Sequence, residues 1–177
     1  MYRIDKLLKE ENRLFHTNDL SLLWEIKNKN TLYTAIKRYV KKRILIPIHK
    51  GFYATVEPDL IHPYRFIGSY LHRYCYISCE TVLFATGAIF QKGNYITALS
   101  NLSKKFSLGT RDFLVRKMMD EFLYNLEDVV EKNGYFIAGL ERAVADMLYF
   151  NRHYHFDNRR IINWEKVKAV QKGVGYV

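Results

Sequence analysis

The sequence predicts an α+β protein in two parts: a small helical part ending in a β-hairpin, and a larger part of mixed α/β structure. Apolar residues recur at helical spacing up to residue 42, whereas alternating apolar segments and turn signals follow from residue 95. The charge is also uneven. Residues 1–56 hold twelve Lys and Arg against five Asp and Glu, or +7, and the rest hold sixteen against thirteen, or +3. We therefore expect an anionic partner for the first part and a different task for the second.

Two helices are predicted at the start of the chain. Residues 2–11 place Ile4, Leu7 and Leu8 on one face. Thr17 is a suitable N-cap for a second helix, because its hydroxyl can accept a hydrogen bond from a free backbone N–H. Asp19 would then lie in the first turn, where the helix dipole favours a negative charge.

A third helix is predicted over residues 31–42, with Asn30 as its N-cap. Its apolar side chains fall in one sector of the helix and are Leu32, Tyr33, Ile36, Tyr39 and Val40. The opposite sector carries Thr34, Lys37, Arg38 and Lys41. Short hydroxyls and long cations are the side chains that reach base edges and phosphates in the major groove of DNA.

A β-hairpin is predicted after this helix, with strands at residues 44–48 and 52–54 and a turn at 49–51. The interval between Glu25 and Glu57 contains no acidic residue and eight Lys and Arg. A helical unit that is basic on one side, with a hairpin behind it, indicates a winged helix-turn-helix that binds DNA. The alternative is a solvated amphipathic helix that is merely rich in lysine. The residues expected to contact DNA are Lys29, Asn30, Thr31, Thr34, Lys37, Arg38, Lys41, His49 and Lys50.

A mixed α/β domain is predicted for residues 57–177, because Glu57-Pro58-Asp59 interrupts the pattern after a first domain of residues 1–56. A helix is expected over 60–73, and a second over 79–86, with Ser78 as its N-cap and Gly87 at its end. Strands are expected at 95–99, 113–118, 129–131 and 135–138, the last two joined by a turn at 132–134. Further helices are expected over 140–150 and from an N-cap at Asn163 to Gly173.

Three blocks of the sequence resemble the AbiEi family, the antitoxins of type IV toxin–antitoxin systems. They are TLYTAIKRYVKKRILIPIHKGFYA, YISCETVLFATGAI and GLERAVADMLY. The blocks occur in the family's order and span most of the chain. Cys79, Thr81 and Val82 are not the commonest residues at their positions in the second block.

The resemblance implies a transcriptional autorepressor that binds inverted repeats in double-stranded DNA at its own promoter. It also implies that the C-terminal domain is an antitoxin that counters a GTP-dependent nucleotidyltransferase toxin without forming a stable complex with it. The alternative from another class is a stand-alone winged-helix transcription regulator whose C-terminal domain senses a ligand or dimerises. A third possibility is an enzyme with an unrecognised site.

The polar residues of the second and third blocks are expected to be structural. Ser78 and Glu80 would form the start of a helix, and Gly87 would end the same helix. In the third block, Glu141 precedes Arg142 and Asp146, and these last two lie four residues apart on one helical face. They can therefore pair or hold neighbouring backbone groups.

No enzyme activity, cofactor or metal is expected. The sequence lacks G-x-S-x-G, P-loop and G-x-G-x-x-G motifs. Gly68-Ser69 could open a nucleotidyltransferase signature, but only Glu80 stands where that chemistry needs paired acids for Mg²⁺. His153, His155 and Asp157 could form a metal cluster, although a polar loop is the favoured interpretation.

A cytoplasmic location is expected. Cys75 and Cys79 are too few for a disulfide framework. The charged N-terminus does not have the pattern of a signal peptide. No uninterrupted apolar run approaches the ~18 residues that a membrane-spanning helix needs.

Overall fold

The computed structural model describes residues 3–176, and the chain divides into two compact units, Met1–Tyr70 and Leu71–Val177. The coarse fold prediction is confirmed, because the described residues form mixed α+β structure with a six-stranded mixed sheet in the second unit. The division after Tyr70 falls later than the break that the sequence suggested at Glu57.

The first unit consists of short helices and a small antiparallel sheet. In chain order its described elements are α1 (Arg3–Lys9), β1 (Leu14–His16), α2 (Thr17–Leu23), α3 (Lys29–Lys41), β2 (Ile46–His49), β3 (Phe52–Ala54) and all but the last residue of α4 (Arg65–Leu71). The strand order is β1-β3-β2, and β3 is antiparallel to both neighbours. Strand β1 was not predicted, because three residues are too few to show a periodicity.

The core of the first unit lies between α1, α2 and α3. Leu7, Leu20 and Ile36 contribute to it, one from each of these helices. The predicted apolar sector of α3 is correct except at Tyr33, which is 49% exposed. Tyr33 lies about 100° around the helix from Leu32 and is therefore at the margin of the buried stripe.

Both predicted N-caps in this unit are displaced. Asn28, not Asn30, caps α3, and its side-chain oxygen accepts a hydrogen bond from the N–H of Thr31 at 3.0 Å. The cap of α2 is His16 rather than Thr17, and the carboxylate of Asp19 accepts from the His16 N–H at 2.6 Å. In both places an acceptor and a donor three residues apart meet across the first turn, which is the geometry of N-capping.

Helix α4 is shorter than the helix predicted over 60–73, and it packs within the first unit. A 3₁₀ turn at Pro58–Leu60 precedes it, and Pro63 prevents a continuous helix because it lacks an N–H and restricts the residue before it. The ring of Tyr70 lies 5.5 Å from that of Phe52. His16 Nε2 lies 3.1 Å from the carbonyl oxygens of Ser69 and Tyr70. These contacts explain why the first unit extends past residue 57.

The second unit contains the large sheet and the helices that pack on it. Its described elements are β4 (Cys75–Ile77), α5 (Glu80–Thr86), β5 (Ile96–Ser100), β6 (Lys104–Leu108), β7 (Arg111–Lys117), α6 (Asp120–Leu123), β8 (Val129–Lys132), β9 (Tyr135–Ala138), α7 (Leu140–Phe150) and α8 (Trp164–Val174). The strand order is β6-β7-β5-β4-β9-β8, with parallel pairs β4–β9 and β5–β7. Helix α7 packs against α5, α8 and the sheet.

Local sequence signals predicted part of this unit correctly. The bounds of β9 and α7 are those predicted, and Asn163 caps α8 by accepting from the Lys166 N–H at 3.0 Å. The hairpin between β8 and β9 turns through Asn133 and Gly134, both with positive φ. Strands β4 and β6 and helix α6 were missed. β4 is buried throughout and so shows no alternation, and α6 is a single turn.

Candidate nucleic-acid interface

All nine side chains predicted to contact DNA are exposed. Seven of them lie on α3 and two at the end of the β2–β3 hairpin. Among the described residues, no carboxylate pairs with the cations of this set, which are Lys29, Lys37, Arg38, Lys41 and Lys50. The acid-free stretch of sequence is the reason, since the nearest acidic residues along the chain are Glu25 and Glu57. The positive charge of this face is therefore available to an external anion.

The start of α3 presents hydrogen-bond acceptors to the outside. Thr31 Oγ1 donates to Asn28 Oδ1 at 3.3 Å, and Thr34 Oγ1 donates to the carbonyl oxygen of Asn30 at 2.8 Å. With each hydroxyl proton used locally, the oxygen lone pairs that remain can accept from a base amino group. Asn30, Thr31, Thr34 and Arg38 share the wall of a shallow surface depression of ≈340 Å³.

Arg38 is supported by the core of the unit. Its guanidinium lies 5.5 Å from the ring centroid of Tyr39, which is 8% exposed and packs against Trp24. A planar guanidinium that stacks on a fixed ring loses less freedom on binding than a free one does. Arginine is also the side chain best suited to the two acceptors on the guanine edge.

The hairpin is tied to the start of α2. The Thr17 N–H donates to the Gly51 carbonyl oxygen at 2.9 Å, and the Thr17 hydroxyl donates to the same atom at 3.3 Å. Gly51 has φ +74°, which favours glycine, and its neighbour Lys50 is exposed at the turn. His49 lies in edge contact with the Tyr70 ring at 5.6 Å, so it has a packing role besides any contact with DNA.

Arg43 is an exposed cation of this unit that was not among the residues expected to contact DNA. It follows α3 with φ +55°, in a Schellman motif in which the Arg43 N–H donates to Val40 and the Ile44 N–H donates to Tyr39. Glycine is the usual residue at such a position, because a side chain there costs free energy. The run Lys41-Lys42-Arg43 was the signal that could have identified it.

The motif residues of the second unit form a buried polar network around Arg142. Arg142 and Asp146 form the predicted pair, with Nε at 2.8 Å from Oδ1 and neither side chain exposed. The other four N–H groups of the guanidinium also have acceptors. These are the carbonyl oxygens of Phe122, Asn125 and Glu127 and the hydroxyl of Tyr76, at 2.9–3.1 Å. All five donors of Arg142 are therefore satisfied.

Ser78 was expected to cap a helix, and this prediction was wrong. Its hydroxyl is buried and donates to Asp146 Oδ2 at 2.6 Å, while Cys79 occupies the N-cap position of α5. A buried carboxylate needs donors on both oxygens, and Ser78 supplies one of them.

The other three motif residues lie at helix ends. Glu80 is in the first turn of α5 and pairs with Arg116. Gly87 ends α5 with φ +79°, as predicted. Glu141 is in the first turn of α7 and accepts from Lys166 Nζ at 3.0 Å.

The electrostatics of this network indicate a structural role. Burial raises the pKa of Asp146, and Arg142 and the donating hydroxyls offset this rise only in part. Burial alone would lower the pKa of Arg142, but the Asp146 carboxylate together with Tyr76 and Tyr176 outweighs this and raises it. Burial also raises the pKa of the Cys75 thiol to about 12 and that of Cys79 well above its ordinary value. Neither cysteine is then a thiolate nucleophile at neutral pH.

The histidine-rich segment after α7 is a loop. His155 Nε2 lies 3.7 Å from Asp157 Oδ1, and Asp157 Oδ2 accepts from the Phe90 N–H at 2.7 Å. Within residues 3–176, no group of three or more His, Cys, Asp or Glu is arranged to hold a metal ion. The helices of the same residues include none with both the length and the apolar character needed to cross a membrane.

Comparisons with models of known protein families and with curated proteins found no match for this chain. The resemblance to the AbiEi family therefore stays a prediction from three blocks of sequence. The exposed face of α3 and the β2–β3 hairpin are the features from which a function can be proposed.

Proposed function

We propose that the first unit is a winged helix-turn-helix that binds double-stranded DNA. In this proposal α2 and α3 form the helix-turn-helix, α3 enters the major groove, and β2 and β3 form the wing. The order of the elements and the strand order β1-β3-β2 support it. The thirteen residues of α3 extend ~20 Å, a length that can lie along the groove.

One observation carries the proposal. The outer face of α3 combines cations that have no acidic partner among the described residues with hydroxyl oxygens that are free to accept. Lysines neutralise phosphates, and arginine and threonine can distinguish base edges. A merely solvated helix would be expected to intersperse acids with its lysines, and residues 26–56 contain none.

We further propose that the chain is a cytoplasmic autorepressor and the antitoxin of a type IV toxin–antitoxin system. It would bind inverted repeats at its own promoter, and its second unit would counter a nucleotidyltransferase toxin. The second and third resemblance blocks both lie in the second unit and support this division. Because Ser78, Arg142 and Asp146 are buried, neutralisation would depend on other, exposed residues of that unit.

The full-length chain can test both parts of the proposal. The double variant Arg38→Ala/Lys41→Ala is compared with wild type for promoter binding in a gel shift and for growth rescue of cells that express the toxin. A constitutive promoter drives the antitoxin in the growth assay, so that loss of repression does not change its level. Lys132→Ala, an exposed lysine on β8, is the matched control.

We expect the double variant to lose promoter binding and to keep rescue. Loss of rescue by a folded variant would place the antitoxin function on the DNA-binding surface. Promoter binding by wild type without any rescue would favour the stand-alone regulator instead.

A further inference from the structure

A second basic site lies in the second unit, in the loop between α7 and α8. Arg152, His153, His155 and Arg159 share the wall of a cavity of ≈350 Å³ with Trp164, the first residue of α8. The histidines of this loop were considered above as ligands of a metal cluster. In the structure they face a cavity together with two arginines, which suits an anion and not a cation.

The arginines of this cavity have no acidic partner among the described residues. Residues 151–160 contain three Arg and one Asp. The single carboxylate, Asp157, accepts from the Phe90 N–H at 2.7 Å and lies 3.7 Å from His155 Nε2, and among the described residues it forms no ion pair with Arg152 or Arg159. Two unpaired guanidinium groups that line one concave site can bind a phosphate group with charge-assisted hydrogen bonds.

Arg159 is held in place by its neighbours. Its guanidinium lies 4.5 Å from the ring centroid of Trp164, and the Trp164 indole N–H donates to the Arg159 carbonyl oxygen at 3.3 Å. One side of the guanidinium lies against the indole ring, and among the described residues its N–H groups have no acceptor, so they can donate to a ligand. Because this indole contacts Arg159 directly, its NMR signal is a local reporter of the site.

We propose that the cavity lined by Arg152, His153, His155, Arg159 and Trp164 binds a phosphate group. The phosphate could come from a small phosphorylated molecule or from the backbone of a nucleic acid. The site is independent of the α3 face. Its rival explanation is that Arg152 only stabilises the C-terminus of α7 through the helix dipole.

The test is a titration of the full-length protein, followed through its two tryptophan indole signals in ¹H–¹⁵N NMR spectra. The Arg38→Ala/Lys41→Ala background removes two of the four cations of α3. Trp164→Phe assigns the two signals. Inorganic pyrophosphate is one probe, and a single-stranded DNA oligomer is the other. The signal of Trp24, buried in the first unit, is the internal control.

We expect saturable movement of the Trp164 signal while the Trp24 signal stays still. Arg152→Ala should raise the dissociation constant about tenfold, as for the loss of one charge-assisted hydrogen bond. Arg159→Lys, which keeps the charge and loses the planar fork, should also weaken binding. Arg160→Ala, the adjacent exposed arginine that does not line the cavity, should leave it unchanged.

The two probes distinguish the sources. Binding of pyrophosphate indicates a small phosphorylated ligand, and binding of the oligomer alone indicates a nucleic-acid backbone. A stationary Trp164 signal with both probes would overturn the proposal. Equal effects of Arg152→Ala and Arg160→Ala would also overturn it, because diffuse positive charge would then explain the binding.

Discussion

The Nε atom of Arg142 lies 2.8 Å from Oδ1 of Asp146, and neither side chain is exposed to solvent. Asp146 also accepts from the hydroxyls of Ser78 and Tyr176. The pair joins β4, α7 and the backbone around α6 through one fully satisfied network. Removing one member would leave buried charge without a partner.

Arg142→Met should therefore destabilise the protein strongly. We expect a loss of about 3–5 kcal/mol in the free energy of unfolding, because Asp146 is left buried and unpaired. The matched control is Arg116→Met, whose pair with Glu80 is about a quarter exposed at both side chains. That control should lose about 1 kcal/mol or less. Urea unfolding measures the free energy of unfolding of both variants. Equal losses would mean that the buried network stabilises the fold no more than the partly exposed pair does.

Arg43→Gly should stabilise the fold. Arg43 has φ +55°, where glycine is free of the strain that other residues carry, and the gain should be about 1 kcal/mol. Lys42→Gly is the control, since Lys42 has φ −85° and gains nothing from glycine. We expect it to destabilise by a few tenths to about 1 kcal/mol. Urea midpoints that fall for Arg43→Gly as well would show that the side chain of Arg43 makes stabilising contacts.

The contact between Lys166 and Glu141 predicts a pH-dependent stability. Burial would raise the pKa of Glu141, but the hydrogen bond and charge of Lys166, together with hydrogen bonds from the backbone N–H groups of Glu141 and Asn163, outweigh it, and the pKa lies below its ordinary value of 4.5. A lowered folded pKa contributes stability above pH 4.5 that is lost as the pH falls through the folded value. Lys166→Met should cost about 0.5–1 kcal/mol at neutral pH, and its difference from wild type should shrink in acid.

Unfolding at neutral pH and at about pH 3 measures this difference. Lys168→Met, on the same helix and exposed, should match wild type at both pH values. A cost for Lys166→Met that does not change with pH would indicate lost packing and not a lost ion pair.

Lys50→Ala tests the hairpin as a wing. An exposed lysine at the turn should contact phosphate, so its loss should weaken binding to promoter and unrelated DNA alike. The magnitude of the slope of log K against log salt concentration should fall by the amount expected for about one phosphate contact. Filter binding over a range of salt gives both quantities. A change in sequence preference with an unchanged slope would mean that Lys50 contacts bases.

Elements with strong local signals were predictable from the sequence. Helix α7 and strand β9 have the predicted bounds, because an amphipathic period and an Asn-Gly turn depend only on neighbouring residues. The N-cap of α3 was not predictable in this way. Asn28 and Asn30 are chemically equal as N-caps, and the choice of Asn28 is visible only in its bond to the Thr31 N–H.

The role of Ser78 could not be predicted, because its partner Asp146 is 68 residues away in the chain. The same applies to the carbonyl groups that surround Arg142, which come from a loop and a one-turn helix with no sequence signal. The exposed face of α3 was predictable for the opposite reason. Its residue types and spacing are contained within thirteen consecutive positions.

The affinity of Arg38→Ala for the native promoter and for a scrambled duplex tests most directly whether α3 reads DNA. We expect binding to the promoter to weaken by about 1–3 kcal/mol, with a smaller loss on the scrambled duplex, because a base contact is lost together with a charge. Lys132→Ala, measured in parallel, should bind both duplexes like wild type. Wild-type affinity of Arg38→Ala for the promoter, or an equal loss on both duplexes, would contradict the assignment of α3 as the recognition helix.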